Sequence, residues 1–167
     1  MHCQHRQDAA LSSFNVPMEP RETIVILLAE DDPDDRMLTI RALQRNRLAN
    51  DIKWVEDGEE LMDYLYRRGH YSTPGSAPRP GMILLDLNMP RMDGREALQA
   101  IKADPDLRRI PVVVLTTSRA ERDVVQSYDL GVNAFVTKPV TFDELADAIK
   151  VLGNFWFEIV KLPPDQA

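Results

Sequence analysis

The chain has 167 residues, 44% hydrophobic and 28% charged, a balance typical of a globular domain long enough to bury a sizeable core. A net charge of −7 disfavours nucleic acid as a partner, and one cysteine, Cys3, excludes an internal disulfide framework. No apolar run approaches the ~20 residues that span a bilayer, so no membrane partner is expected.

Residues 1–21 show no sustained period and carry Pro17 and Pro20 near their end, as expected of a disordered tail. They have no apolar centre and so do not read as a secretory signal; the expected compartment is the cytoplasm. His2, Cys3 and His5 fit no closed zinc spacing and are read as solvated residues of that tail.

A first buried strand is predicted at residues 24–28, followed by Glu30, Asp31, Asp32 and Pro33. Proline favours the first position of a helix, which makes Asp32 the N-cap and leaves Glu30 and Asp31 in the loop above the strand. Met37, Ile40 and Leu43 are expected to line the inner side of that helix. A second strand at 52–55 leads to Asp57 and Glu60, spaced as a capping box, and to a helix facing inward with Leu61, Tyr64 and Leu65. Residues 69–81, rich in Pro, Gly and Ser, read as a long solvated loop, with partner contact as the alternative.

Next comes the run Ile83-Leu84-Leu85-Asp86-Leu87-Asn88-Met89-Pro90-Arg91-Met92-Asp93-Gly94. Its apolar start is too short for a helix and too continuous for a half-exposed strand, as in a strand covered on both faces. It stops on a carboxylate, Asp86, at the edge where open α/β sheets bind ligands. Taken alone, Asp86 is as readily a turn cap as a functional acid. Asp93 and Glu96 then have capping-box spacing, with Ala97, Leu98 and Ile101 inward. A β-branched fourth strand at 111–115 ends in Thr116 and Thr117, and a helix is predicted from a Ser118–Glu121 box to Gly131. A short fifth strand, 134–137, precedes Lys138 and Pro139, and a Thr141–Glu144 box opens a last helix through Leu145, Ile149 and Leu152. Five strands alternating with five helices predict a parallel sheet covered on both sides.

In such a sheet Glu30, Asp31, Asp86, Thr116 and Lys138 gather at one edge. Three converging carboxylates repel, which raises their pKa values and favours a hard divalent cation; oxygen ligands fit Mg²⁺ better than zinc. Asp86, at the mouth of the central strand, is best placed to act as a nucleophile and carry an aspartyl phosphate. Such transfer needs charge neutralisation more than proton transfer, and the cation, the Lys138 ammonium and the Thr116 hydroxyl supply it. Each residue by itself also has an ordinary structural role; their joint placement at successive strand ends favours the chemical one.

Over residues 23–152 the chain resembles the receiver domain of two-component response regulators. The likeness rests on residues 24–31 and 83–94, on 112–116, and on Phe135-Val136-Thr137-Lys138-Pro139. The resemblance implies a flavodoxin-like five-stranded parallel sheet of order 2-1-3-4-5 with five helices. It implies Asp86 as phosphoacceptor, and Glu30, Asp31, Asp86 and the backbone carbonyl of Asn88 as Mg²⁺ ligands. Thr116 and Phe135 would be the switch residues, Lys138 the cation pairing with the phosphoryl group, and the Lys138–Pro139 bond would be cis. Thr117 departs from the Ala or Gly common after the switch hydroxyl, which tightens access to the phosphoryl group.

The expected domain plan is a tail at 1–21, a receiver at 22–153 and a C-terminal extension at 154–167 with no output domain. Phe155, Trp156 and Phe157 in that extension are read as a homodimer or partner surface, since large aromatics anchor interfaces. With this ending and Ser127-Tyr128-Asp129-Leu130-Gly131 before the fifth strand, the chain is also similar to stand-alone receivers that work with phytochrome-type sensor histidine kinases. It would then be no enzyme beyond catalysing its own phosphorylation and dephosphorylation. A haloacid-dehalogenase-type phosphatase is the alternative from another class, but it wants a second Asp where Asn88 stands. A binding module that is never phosphorylated leaves the acids and Lys138 without a purpose.

Overall fold

Strand residues alternate between the two faces of a sheet, so a strand that is apolar at every position must be covered on both. The computed structural model describes residues 25–46, 51–116, 134–138 and 141–159. Its strands are β1 (Val25–Ala29), β2 (Asp51–Val55), β3 (Met82–Asp86), β4 (Val112–Thr116) and β5 (Ala134–Thr137). They form one sheet in the order β2-β1-β3-β4-β5, with every neighbouring pair parallel. The α-helices among the described residues are α1 (Pro33–Arg45), α2 (Gly58–Tyr66), α3 (Gly94–Ala103) and α4 (Phe142–Ile159). The helix predicted over 118–131 lies outside the described residues, as do Pro139 and the bond preceding it.

Alternation divides the core in two. Leu27, Ala29, Ile83, Leu85, Val112 and Val114 meet Leu61, Met62 and Tyr64 of α2 and Ala97, Leu98 and Ile101 of α3. Ile26, Leu28, Met82, Leu84, Val113 and Leu115 meet Ala42 and Leu43 of α1 and Leu145, Ala146 and Ile149 of α4. The central strand β3 is buried at all five positions. Edge strand β2 reads differently, with Asp51 and Lys53 on it and Trp54 exposed beneath the Arg36 guanidinium, 3.9 Å from the ring centroid. Charged side chains on an edge strand discourage pairing with another chain.

The helix starts follow their caps. Asp32 accepts from the amides of Asp34 and Asp35 at 2.8 and 3.1 Å, with Pro33 in the first position. Asp93 and Glu96 form a full capping box. The box expected at Asp57 is half formed: Asp57 accepts from the Glu60 amide at 2.8 Å, whereas Glu60 accepts from the Glu56 amide at 2.9 Å. Glu60 also takes the Tyr71 hydroxyl at 2.6 Å.

Two expectations change. Met37 is 53% exposed, and Thr39 is buried in its place. Thr39 tolerates burial because its hydroxyl donates to the Asp35 carbonyl at 2.9 Å. The segment 69–81 is only partly a solvated loop: it opens with a 3₁₀ turn, Gly69–Tyr71, buries Ala77, and stacks Tyr71 edge-on against Tyr64 at 5.1 Å. The last helix, expected through Leu152, continues to Ile159.

Leu85→Ala is expected to cost about 2–5 kcal/mol of unfolding free energy, because the two covered faces leave little room to collapse around the cavity. Met37→Ala should stay within about 0.5 kcal/mol. Urea unfolding of both variants measures the contrast.

Candidate functional site

The strand order makes the site. The chain passes from β1 outward to β2, then returns to lay β3 on the other side of β1. The ends of β1 and β3 are therefore adjacent, with Ala29 in register with Leu85, and the next residues are Glu30 and Asp86. The Glu30 amide donates to the Val55 carbonyl at 3.1 Å, extending the ladder by one residue and aiming the side chain at the crevice. Oxygens of Glu30, Asp31 and Asp86 all lie within 4.8 Å of one another. Glu30 and Asp86 are buried, whereas Asp31 is exposed.

Lys138 follows β5, two strands from β3, a separation of roughly 10 Å across the sheet. Its four-carbon stem and the acid side chains reaching toward it bridge that span together. The ammonium lies 2.6 Å from Glu30 Oε2 and 3.0 Å from Asp86 Oδ2, and 3.4 Å from Asp35 Oδ2 on the first turn of α1. Side-chain exposure is 14% for Lys138, 1% for Glu30 and 7% for Asp86, so the Coulomb attraction is little screened by water. Burial is the main influence on Glu30 and pushes its pKa from 4.5 up to about 8; the Lys138 hydrogen bond opposes this and the Asp86 charge adds to it. For Lys138, burial favours the neutral amine, but the hydrogen bond to Glu30 and the Asp86 charge outweigh it and hold the pKa above 10.5.

The turn after Asp86 wraps back on the acid: the Asn88 amide donates to Asp86 Oδ1 at 3.1 Å. Asp86 is thus both a turn cap and a member of the acidic cluster. Gly94 opens α3 where a Cβ would strike the Asp86 carbonyl, so α3 can approach the strand end only with glycine there. Thr116 closes β4 and Phe135 lies within β5; their side chains are outside the described residues, as are those of Phe155, Trp156 and Phe157 in the last turns of α4.

Sequence reasoning missed Asp35. Acids in the first turn of a helix are expected on dipole grounds alone, and that reading concealed a partner for Lys138. The donor set is all hard oxygen, and carboxylates in such excess over cationic groups suit a divalent cation. Among the described residues Lys138 is the cation paired with these carboxylates, while Arg36 reaches only the Glu30 backbone carbonyl, at 3.5 Å.

The structure thus has a doubly wound parallel sheet with three acids and an ammonium gathered at its switch point. The chain belongs to the response regulator receiver domain family, which it matches over residues 26–150. It is similar to the response regulator Rcp1 of Synechocystis sp., with 45% identity over 139 residues, 83% of this chain and 92% of Rcp1. The crystal structure of Mn²⁺-bound Rcp1 gives a TM-score of 0.73 at 44% identity, covering 84% of this chain and 99% of that one. Phosphorylated RcpA, a cyanobacterial phytochrome response regulator, gives 0.75 at 44% identity with the same coverage, 84% and 99%. AtBRR, a bacteriophytochrome response regulator, gives 0.69 at 51% identity, covering 81% and 96%. No helix among the described residues is long and apolar enough to cross a membrane.

Between pH 4.5 and about 8 the native state keeps a proton on Glu30 that the unfolded chain has released, so stability contributed by Glu30 falls as pH rises through that window. Lys138 does not titrate there, its pKa lying above 10.5. In the presence of a chelator, urea unfolding across the window should give wild type a steeper loss of stability than Glu30→Gln. Parallel profiles would contradict the assignment.

Proposed function

We propose that this chain receives a phosphoryl group on Asp86 from the phosphohistidine of a sensor histidine kinase. The observation that carries the reading is the buried Asp86 carboxylate at a parallel strand end, 3.0 Å from Lys138 and grouped with Glu30 and Asp31. In the transfer an Asp86 oxygen attacks phosphorus, the P–N bond to the kinase imidazole breaks, and its electron pair stays on the ring nitrogen. The product is an acyl phosphate. Glu30, Asp31, Asp86 and the Asn88 backbone carbonyl would hold Mg²⁺, which when bound neutralises charge on the phosphoryl oxygens. Lys138 shifts from the carboxylates to a phosphoryl oxygen, while Asp35 keeps its ammonium at the rim. The Thr116 hydroxyl follows the phosphoryl group, and Phe135 turns inward with it, altering the partner surface around β5 and α4.

A phytochrome-type kinase is the partner we favour, supported by 44% and 51% identity to RcpA and AtBRR, both described as phytochrome or bacteriophytochrome response regulators. The reaction then runs in the cytoplasm, and the only chemistry catalysed is the chain's own phosphorylation and dephosphorylation. The receiver spans 22–153 after a tail at 1–21. The extension carrying Phe155, Trp156 and Phe157 forms a homodimer surface. α4 continues to Ile159, so the three aromatics are residues of its last turns.

Asp86→Asn should abolish labelling by acetyl phosphate with Mg²⁺, read by intact mass, and undiminished labelling would refute the phosphoacceptor. Lys138→Met should slow labelling by about 100-fold, the usual cost of removing one preorganised charge from a transition state. Light scattering should give a dimer mass that Trp156→Ala lowers toward the monomer. A monomer mass for wild type, with and without beryllofluoride, would reject the dimer.

A further inference from the structure

The turn that follows Asp86 is fastened to a second loop, the one leading into α2, by contacts that belong to neither the acidic cluster nor Lys138. Arg91 sits at φ +65°, a left-handed conformation that side chains other than glycine and asparagine adopt reluctantly. Such a conformation persists where its surroundings over-determine it. Here the Arg91 Nε lies 3.1 Å from Oδ2 of Asp57; the Asp57 side chain is 4% exposed and that of Arg91 67%. The buried acid is therefore the anchor and the arginine the strap. Asp57 Oδ1 meanwhile accepts the Glu60 amide at 2.8 Å, so the anchor is itself held by the start of α2.

The adjoining residue adds a second fastening. The Gly58 amide donates to the Met92 carbonyl at 2.9 Å, and a Cβ on Gly58 would collide with that carbonyl. On the near side, the Asn88 amide bonds to Asp86 Oδ1 at 3.1 Å and the Gly94 amide to the Leu87 carbonyl at 3.0 Å. The turn is thus held at its strand end by Asp86 and Leu87, and at its far end by Asp57 and Gly58.

We infer that the Asp57–Arg91 pair is a positioning device for the site, holding the turn that bears Asn88 in the geometry that divalent-cation binding requires. The inference rests on the reading of Glu30, Asp31 and Asp86 as the cation-binding acids. Neither Asp57 nor Arg91 touches the cation or the phosphoryl group; they act through the backbone between Asp86 and Met92. Residues that orient ligands from outside the coordination sphere commonly change metal affinity about tenfold or more when replaced.

The test uses the full chain and Mn²⁺ alone as probe. Asp57→Asn keeps an oxygen to cap α2 while losing the charge, and Arg91→Gly suits the positive φ while removing the guanidinium. Calorimetric titration well below the unfolding temperature should give about tenfold weaker Mn²⁺ binding for each variant. The double variant should be no weaker than the worse single, because the two residues act as one unit. In metal-free protein, amide exchange at Gly58 and Asn88 should quicken in both variants. Wild-type affinity in either variant, or additive losses in the double, would overturn the inference, even if the thermal midpoint fell. Failure of wild type to bind Mn²⁺ would instead overturn the reading of the acids, and the inference with it.

Discussion

One ammonium group ties the far side of the sheet to its centre. Lys138 leaves the end of β5 and reaches Glu30 after β1 and Asp86 at the end of β3, at 2.6 and 3.0 Å. Two acids buried this deeply would, if both ionised, repel each other and lose their hydration, a cost of several kcal/mol per ion in protein interiors when nothing compensates. The lysine is the compensation available from the described residues. Asp35 offers it a third, half-exposed acid on α1. Any change of charge at Asp86 must therefore be felt by β1, α1 and β5 together.

That arrangement follows from how the strands are ordered. Because β1 and β3 are neighbours while their connections run in opposite directions, the loops after them leave a crevice at the switch point. The two cores on either side of the sheet keep the strands rigid, so the acids enter the crevice from fixed points on well-buried backbone. The caps then bring the helices in close. Asp32 starts α1 directly beyond the acidic pair, and Gly94 lets α3 begin against the Asp86 carbonyl.

A site of this kind is poised rather than balanced. Among the described residues the Lys138 ammonium pairs with Glu30, Asp35 and Asp86 while Asp31 stands beside them, and burial holds the Glu30 pKa near 8. On the proposed reading a divalent cation would relieve the excess of negative charge, and the phosphoryl group would add negative charge for the ammonium to meet. On the proposed reading, signalling is an exchange of ionic partners at fixed backbone positions. The turn between Asp86 and Gly94, strapped to α2 through Arg91 and Asp57, keeps those positions fixed.

Much of this was legible before any coordinates. The strands, the caps at Asp32 and Asp93, and the gathering of Glu30, Asp31, Asp86 and Lys138 follow from local pattern, since in a parallel sheet all strand ends meet at one edge whatever the loops do. Asp35 was hidden because an acid in the first turn of a helix already has a local explanation. Burial of Thr39 in preference to Met37 depended on a hydroxyl finding its own backbone partner. The packing of residues 69–81 on α2 depended on Tyr71 meeting Glu60 and Tyr64. The Arg91–Asp57 strap carried no signal at all, because arginine gives no hint of a left-handed backbone. Periodicity and capping are properties of neighbours in the chain, so the sequence by itself determined the elements and the charged groups at their ends. The partners of Lys138 and of Arg91 lie dozens or more than a hundred positions away, and only the folded chain could decide them.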